Sequence, residues 1–134
     1  MNPIVKGARV LNPIAATAVV VLVFVQIYLI AEYIFGDAGA LSTHKTVGGF
    51  APVIEVVVFL TALAGWWRER SQVILSLALL VVGVLQVSFA ENIGNSPSVH
   101  ALHGMLAILV VLLASVIAHR GRRAFGPTLT PALS

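Results

Sequence analysis

Three histidines, His44, His100 and His103, stand in an otherwise apolar chain, each close to the start of a long hydrophobic run. Imidazole is a nitrogen ligand for haem iron, zinc and copper. Such a cluster is therefore the strongest pointer to chemistry in the sequence. Two of the three sit in matching surroundings. Ser42, His44 and Gly48 recur as Ser98, His100 and Gly104, each 56 residues further on. A polar echo precedes both sets: Gln26 and Ala31-Glu32 in the first, Gln86 and Ala90-Glu91 in the second. The pattern describes a two-helix unit used twice, with one histidine per unit at a matching depth. Paired imidazoles of this kind suit a haem held from both sides. Taken together, His44, His100 and His103 also form a candidate copper or zinc set.

The alignment pairs His44 with His100, whereas depth favours His103, which lies one turn further into its run. Three residues apart on a helix, the two share nearly one face, and His103 stands as the alternate ligand. Gly48, Gly49 and Gly104 leave room for a flat ring near the histidines.

Glu55 follows His44 by eleven residues. At about 100° per residue it lies within about 20° of the same helix face and about 16 Å deeper. A carboxylate at mid-bilayer costs roughly 2.5–3.5 kcal/mol or more, so Glu55 is expected to face the bundle interior in its neutral form. Gln26, at similar depth, is its expected hydrogen-bond partner, giving a proton relay, a polar floor under a cofactor, or a single interhelical bond. Glu32 and Glu91 end the odd-numbered runs. They are candidates either to accept a hydrogen bond from a ligating imidazole or to be solvated interfacial charges. His119, beside Arg120, reads as a headgroup-level residue, and Trp66 and Trp67 as interfacial anchors.

The elements that position these residues follow from composition. Hydrophobic residues make up 59% of the 134-residue chain and charged ones 10%, against roughly 25% charged in soluble domains. Four apolar runs, at about 13–35, 46–67, 73–90 and 98–119, each approach the ~20 residues needed to span a bilayer. The first run exceeds the roughly 7–15 residues of a signal-peptide core, so it is expected to be a span despite the small residues Ala38-Gly39-Ala40 after it. Short connections between the runs predict an all-α, up-down-up-down four-helix bundle over 13–120 with an internal two-helix repeat. Residues 1–12 form a lead-in on the inner surface and residues 121–134 a loose tail. The second helix is expected to start at an N-cap of Ser42 or Thr43, and the fourth at Ser96 followed by Pro97.

The net charge of +3 is distributed as a topology signal. Lys6/Arg9, Arg68/Arg70 and Arg120/Arg122/Arg123 cluster at three of the five non-apolar segments. By the positive-inside rule both termini and the 68–72 loop are cytoplasmic, as in a multi-pass protein of a bacterial plasma membrane. The basic excess thus meets anionic lipid rather than nucleic acid. The absence of cysteine excludes disulfides and thiolate metal sites. No Ser/His/acid set, phosphate-binding loop or dinucleotide motif is present.

Thr43-His44-Lys45-Thr46-Val47-Gly48 and Val99-His100-Ala101-Leu102-His103-Gly104 resemble the ligand-bearing helices of the heme A synthase family. That family joins two four-helix bundles, each with a histidine on its second and fourth helices, and this chain looks like one such half. It is also similar to small bacterial four-span proteins. Where the family carries Glu three residues before the second-helix histidine and Arg directly after it, this chain has Leu41 and Lys45. The resemblance therefore implies binding geometry, with His44 and His100 or His103 as axial ligands, rather than synthase chemistry. The resulting expectation is a membrane protein holding haem b near the outer face for electron transfer, with a quinol or a larger respiratory-type complex as partner, and homo-oligomers within its range. The alternatives are a cofactor-free accessory or assembly subunit and a His-based copper or zinc site.

Overall fold

A computed structural model describes residues 2–91 and 96–124 of the chain; for Glu91 only the backbone is described. The described residues form five helices: α1 (Pro3–Ile34), α2 (Ala38–Gly48), α3 (Ala51–Trp66), α4 (Arg70–Glu91) and α5 (Pro97–Arg123). By length and hydropathy α1, α4, α5 and the combined α2–α3 segment Ala38–Trp66 can each cross a membrane. They close a ring in which α1 packs on α3 and α5, and α4 packs on α3 and α5. The α1/α4 and α3/α5 pairs thus lie diagonally, and α2 packs chiefly on α1.

Three boundaries differ from the sequence reading. First, the helix of the first span starts at Pro3, not 13, so residues 3–12 are no separate lead-in. Asn2 caps it by accepting from the Ile4 N–H at 2.9 Å, and the added turns are fixed to α3. Arg9 Nε donates to Gly65 O at 2.7 Å, its guanidinium lies 4.9 Å from the Trp66 ring, and it meets Glu69 at 3.2 Å. Pro13 consequently lies inside the helix. Second, the break after α1 covers residues 35–37, where Gly36 takes a left-handed φ of 114°. Asp37, not Ser42 or Thr43, caps the following helix through Gly39 N–H at 2.9 Å. Third, the second span is interrupted at Gly49-Phe50, where the sequence reading has a continuous helix. Ser96 does cap α5, accepting from Val99 N–H at 3.3 Å, with Pro97 in the first turn. Residues 92–95 and the tail from 125 onward lie outside the described residues.

The core is narrow and built of small side chains. Ala15, Ala16, Val19, Val23, Val58, Leu79, Val110, Ala114, Ile117 and Ala118 form one buried cluster. Small residues at such contacts let helices approach closely, which is how association is favoured where lipid supplies no hydrophobic drive. Larger apolar residues such as Phe24, Leu60, Ile74 and Leu112 point outward instead, as a surface facing hydrocarbon requires. Trp66 is 2% exposed beneath Arg9 and Trp67 is 70% exposed, so only the second of this pair stands free as an anchor.

A buried polar knot ties the bundle near the α3–α4 turn. Asn12 Nδ2 donates to Val58 O at 2.7 Å and approaches Thr61 Oγ1 at 3.3 Å. Gln72 Nε2 donates to Ile117 O at 3.1 Å and to Asn12 Oδ1 at 3.0 Å. All four spans meet in this knot. Interhelical hydrogen bonds in membrane bundles average about 0.6 kcal/mol and reach about 1.7. Asn12→Ala and Gln72→Ala should each lower stability in detergent within roughly that range. The double variant should lose less than the sum of the two, because they share a bond. Unfolding followed by circular dichroism checks this, and strictly additive losses would refute a shared network.

Candidate functional site

At the end of the bundle opposite the knot, two histidines face each other. His44, on α2, places Nδ1 3.1 Å from the backbone oxygen of Gln26 on α1. His103, on α5, places Nδ1 2.9 Å from the backbone oxygen of Gln86 on α4. Each imidazole is thereby held through one nitrogen by the carbonyl of the preceding span. In the tautomer that donates Nδ1–H to the carbonyl the lone pair resides on Nε2, and this is how metal-ligating histidines are commonly oriented. The two rings have centroids 6.3 Å apart and planes inclined by 79°. An imidazole–metal bond is about 2.0–2.1 Å, and a ring nitrogen lies about 1 Å from its ring centre. Two imidazoles on opposite sides of one ion would thus have centroids about 6 Å apart. The observed separation matches that spacing.

His100 does not join them. It is exposed in the first turn of α5, while His103, one turn further in, is half-buried beside His44. Among the described residues no group of three or more His, Cys, Asp or Glu is assembled as a metal site. His44, His100 and His103 therefore do not form the three-ligand set considered for copper or zinc. A pair of opposed imidazoles fits haem iron, whose remaining four ligands come from the macrocycle, better than zinc, which needs four ligands in all.

Gln26 is an active part of this arrangement, although not as a partner of Glu55. Its amide nitrogen faces His44 and its oxygen faces Gly48, an orientation assigned from the surrounding donors and acceptors. The amide nitrogen then donates to His44 O at 2.8 Å and faces His44 Nδ1 at 2.9 Å, and the amide oxygen accepts from Gly48 N–H at 3.0 Å. His44 O and Gly48 N–H are the two ends of one i→i−4 helical hydrogen bond, so the side chain is wedged into the ladder. Insertion of this kind is a recognised cause of helix breaks, and Pro52 just beyond removes a further donor. The interruption between α2 and α3 has its physical origin here. Gly48 gives the wedge its room, since a Cβ there would lie 3.1 Å from the Gln26 amide and push it aside by a few tenths of an ångström. Gly49 lies against carbonyls of its own helix, and Gly104 has open space around it.

Glu55 is 1% exposed, and its Oε2 has no hydrogen-bond partner among the described residues. Its carboxyl fills the space left by the missing side chain of Gly83 on α4, where any Cβ would overlap it. Glu32 accepts a hydrogen bond from the Tyr28 hydroxyl at 2.6 Å rather than from an imidazole. The Glu91 side chain lies outside the described residues. Two surface grooves, one bounded by Pro13, Ile14, Thr17 and Arg122 and one by Trp67, Arg70, Val73 and Ile74, lie at the other end of the bundle.

Comparison with protein-family models, curated proteins and solved structures found no match. The chemistry must therefore be argued from this geometry.

Asn12 and Gln72 escaped the sequence reading, as did the role of the Gln86 carbonyl. One signal was present: Asn12 and Gln72 are separated by the same 60 residues as Gln26 and Gln86.

The Glu55–Gly83 contact gives a direct test. Gly83→Ala should destabilise the bundle by about 1–3 kcal/mol, as overpacking does, and Glu55→Ala in the same chain should recover most of that loss. If Glu55→Ala fails to rescue Gly83→Ala in a thermal melt, the carboxyl does not occupy that space.

Proposed function

We propose that this chain is a membrane b-type haem protein in which His44 and His103 are the axial ligands and whose task is electron transfer. The observation that carries the reading is the His44–His103 pair. Its two rings stand at a spacing suited to one shared ion, and a backbone carbonyl anchors each through Nδ1. Haem would supply a reversible one-electron iron couple, and with both axial positions taken by histidine that couple suits electron transfer better than oxygen chemistry. The resemblance to one half of the heme A synthase family points the same way, with His103 in place of His100 as the partner of His44.

The polypeptide's own contribution is orientation. The Gln26 and Gln86 carbonyls hold the ring nitrogens. A quinol in the bilayer is the donor that fits such a position, with a larger respiratory-type complex as acceptor. The clusters at Lys6/Arg9, Arg68/Arg70 and Arg120/Arg122/Arg123 support a cytoplasmic side for the opposite end and both termini, as in a bacterial plasma membrane. The histidine pair then lies toward the outer leaflet.

The hydrogen bonds also support an internal two-helix repeat. The odd spans relate Asn12 to Gln72 and Gln26 to Gln86, 60 residues apart, while the even spans relate His44 to His103 and Val58 to Ile117, 59 apart. Two interhelical contacts of the first half, from Asn12 and from His44, thus have counterparts in the second. The repeat axis runs along the membrane normal, because both halves start on the same side.

Reduced-minus-oxidised spectra of detergent-purified protein, with haem quantified as its pyridine complex, test the proposal. Wild type should show sharp low-spin bands at about one haem per chain. His44→Ala and His103→Ala should both lose the low-spin spectrum, and His100→Ala should keep it. A colourless wild type that takes up no added haemin refutes the reading.

A further inference from the structure

The end of the bundle away from the histidine pair is unbalanced in charge. Seven of the eight Lys and Arg of the chain lie there, against one of its five acids, Glu69. Arg9 holds that carboxylate at 3.2 Å. Arg68 and Arg70, on either side of Glu69, are exposed and have no carboxylate partner among the described residues. Arg120 of α5 reaches the same turn and donates to Ser71 Oγ at 2.6 Å. A guanidinium has five N–H donors, so this one bond leaves others for an anion. The first turn of α4 carries no acidic residue, and the positive end of its helix dipole adds to the field.

Beside this cluster Trp67, Arg70, Val73 and Ile74 bound a groove of about 330 Å³, within the roughly 300–1,000 Å³ of small-ligand clefts. Trp67 and Ile74 are exposed, so the groove opens outward, away from the core. Beyond Ile74 the exposed face of α4 continues as Leu77, Val81 and Val84, spaced three and four apart as a single helix stripe requires. The rise from Ile74 to Val84 is about 15 Å. One leaflet contributes half of a hydrocarbon core ~30 Å thick, which is also about 15 Å. The groove thus joins a cationic head to an apolar stripe as long as one leaflet is deep.

We propose that this groove is a binding site for one anionic phospholipid of the adjoining leaflet. The lipid phosphate meets Arg70, with Arg68 and Arg120 reinforcing the positive field around it. The Trp67 indole packs at the glycerol level, where such rings favour the membrane interface. One acyl chain lies along Ile74, Leu77, Val81 and Val84. Charge decides the lipid class, because a zwitterionic headgroup would bring a cation of its own into a site that is already positive. The groove and the histidine pair stand at opposite ends of the bundle, so the proposal does not depend on what the pair binds.

The test places full-length protein in phosphatidylcholine vesicles and uses lipids with brominated chains to quench tryptophan fluorescence. Trp66 is buried and Trp67 exposed, so quenching reports chiefly on Trp67. Brominated phosphatidylglycerol should reach half-maximal quenching at a several-fold lower mole fraction than brominated phosphatidylcholine. Arg70→Gln should reduce that preference about fivefold, the factor expected for one arginine fewer beside anionic lipid. Lys6→Gln removes the same charge from α1, diagonal to α4, and should leave the preference almost unchanged. Both side chains are exposed, and circular dichroism checks that both variants keep the fold. Equal quenching by the two lipids overturns the proposal. Equal reductions in the two variants also overturn it, because they describe a general surface attraction. So does a Trp67 shielded from both lipids, as a second copy or residues 126–134 over the groove would shield it.

Discussion

A half-buried histidine near one end of an apolar bundle has two nitrogens to satisfy. The arrangement of this protein depends on how that constraint is met. One nitrogen of His44 goes to the Gln26 carbonyl and one nitrogen of His103 to the Gln86 carbonyl, which fixes both rings and leaves the second nitrogen of each uncommitted. A carbonyl inside a helix already accepts one bond from its own ladder but keeps a second lone pair. The imidazoles use that spare capacity, so the spans they lean on remain helical. The register of α1 against α2, and of α4 against α5, is thereby coupled to the position of the rings.

The rest of the bundle stabilises this histidine-bearing end. The Asn12–Gln72 knot joins the four spans where they meet, and the alanine-rich seam of α1 and α5 above it brings the helices close. Between knot and histidines sits Glu55 against Gly83. This carboxyl breaks the correspondence between the two halves, since Ala114, 59 residues on, occupies the matching place. The Gln26 wedge breaks it a second time. Gly48 has Ala107 as its counterpart, which lies in an uninterrupted helix. The Asn12 and His44 contacts thus recur at Gln72 and His103, whereas the break at Gly49-Phe50 does not recur in α5.

Much of this was legible in the sequence. Four spans followed from run length and composition, because the bilayer imposes a length that few other environments do. The concern with His44, Gln26 and Glu55 followed from their rarity as polar groups in apolar runs. What the sequence hid was pairing. Matching Ser42, His44 and Gly48 to Ser98, His100 and Gly104 weighted residues at the helix start, yet the geometry sets His103 beside His44. The spacing of Asn12 to Gln72 carries the alignment that matches the observed contacts, but both residues lie at the edges of their runs, where polar side chains are unremarkable. The break at Gly49-Phe50 was hidden for a different reason. It arises from a side chain on another helix, and no local pattern in α2 or α3 reports the arrival of Gln26. Glycine pairs and Pro52 merely permit the break that Gln26 makes.

The central claim is that His44 and His103 address one iron with their planes crossed. Electron paramagnetic resonance of the oxidised, haem-loaded protein tests it most directly, because the relative orientation of two axial imidazoles shapes the low-spin ferric signal. Crossed planes, as in the 79° arrangement here, predict a strongly anisotropic low-spin signal that persists in His100→Ala. A signal typical of parallel imidazoles, or one that vanishes in His100→Ala while surviving in His103→Ala, would contradict the account.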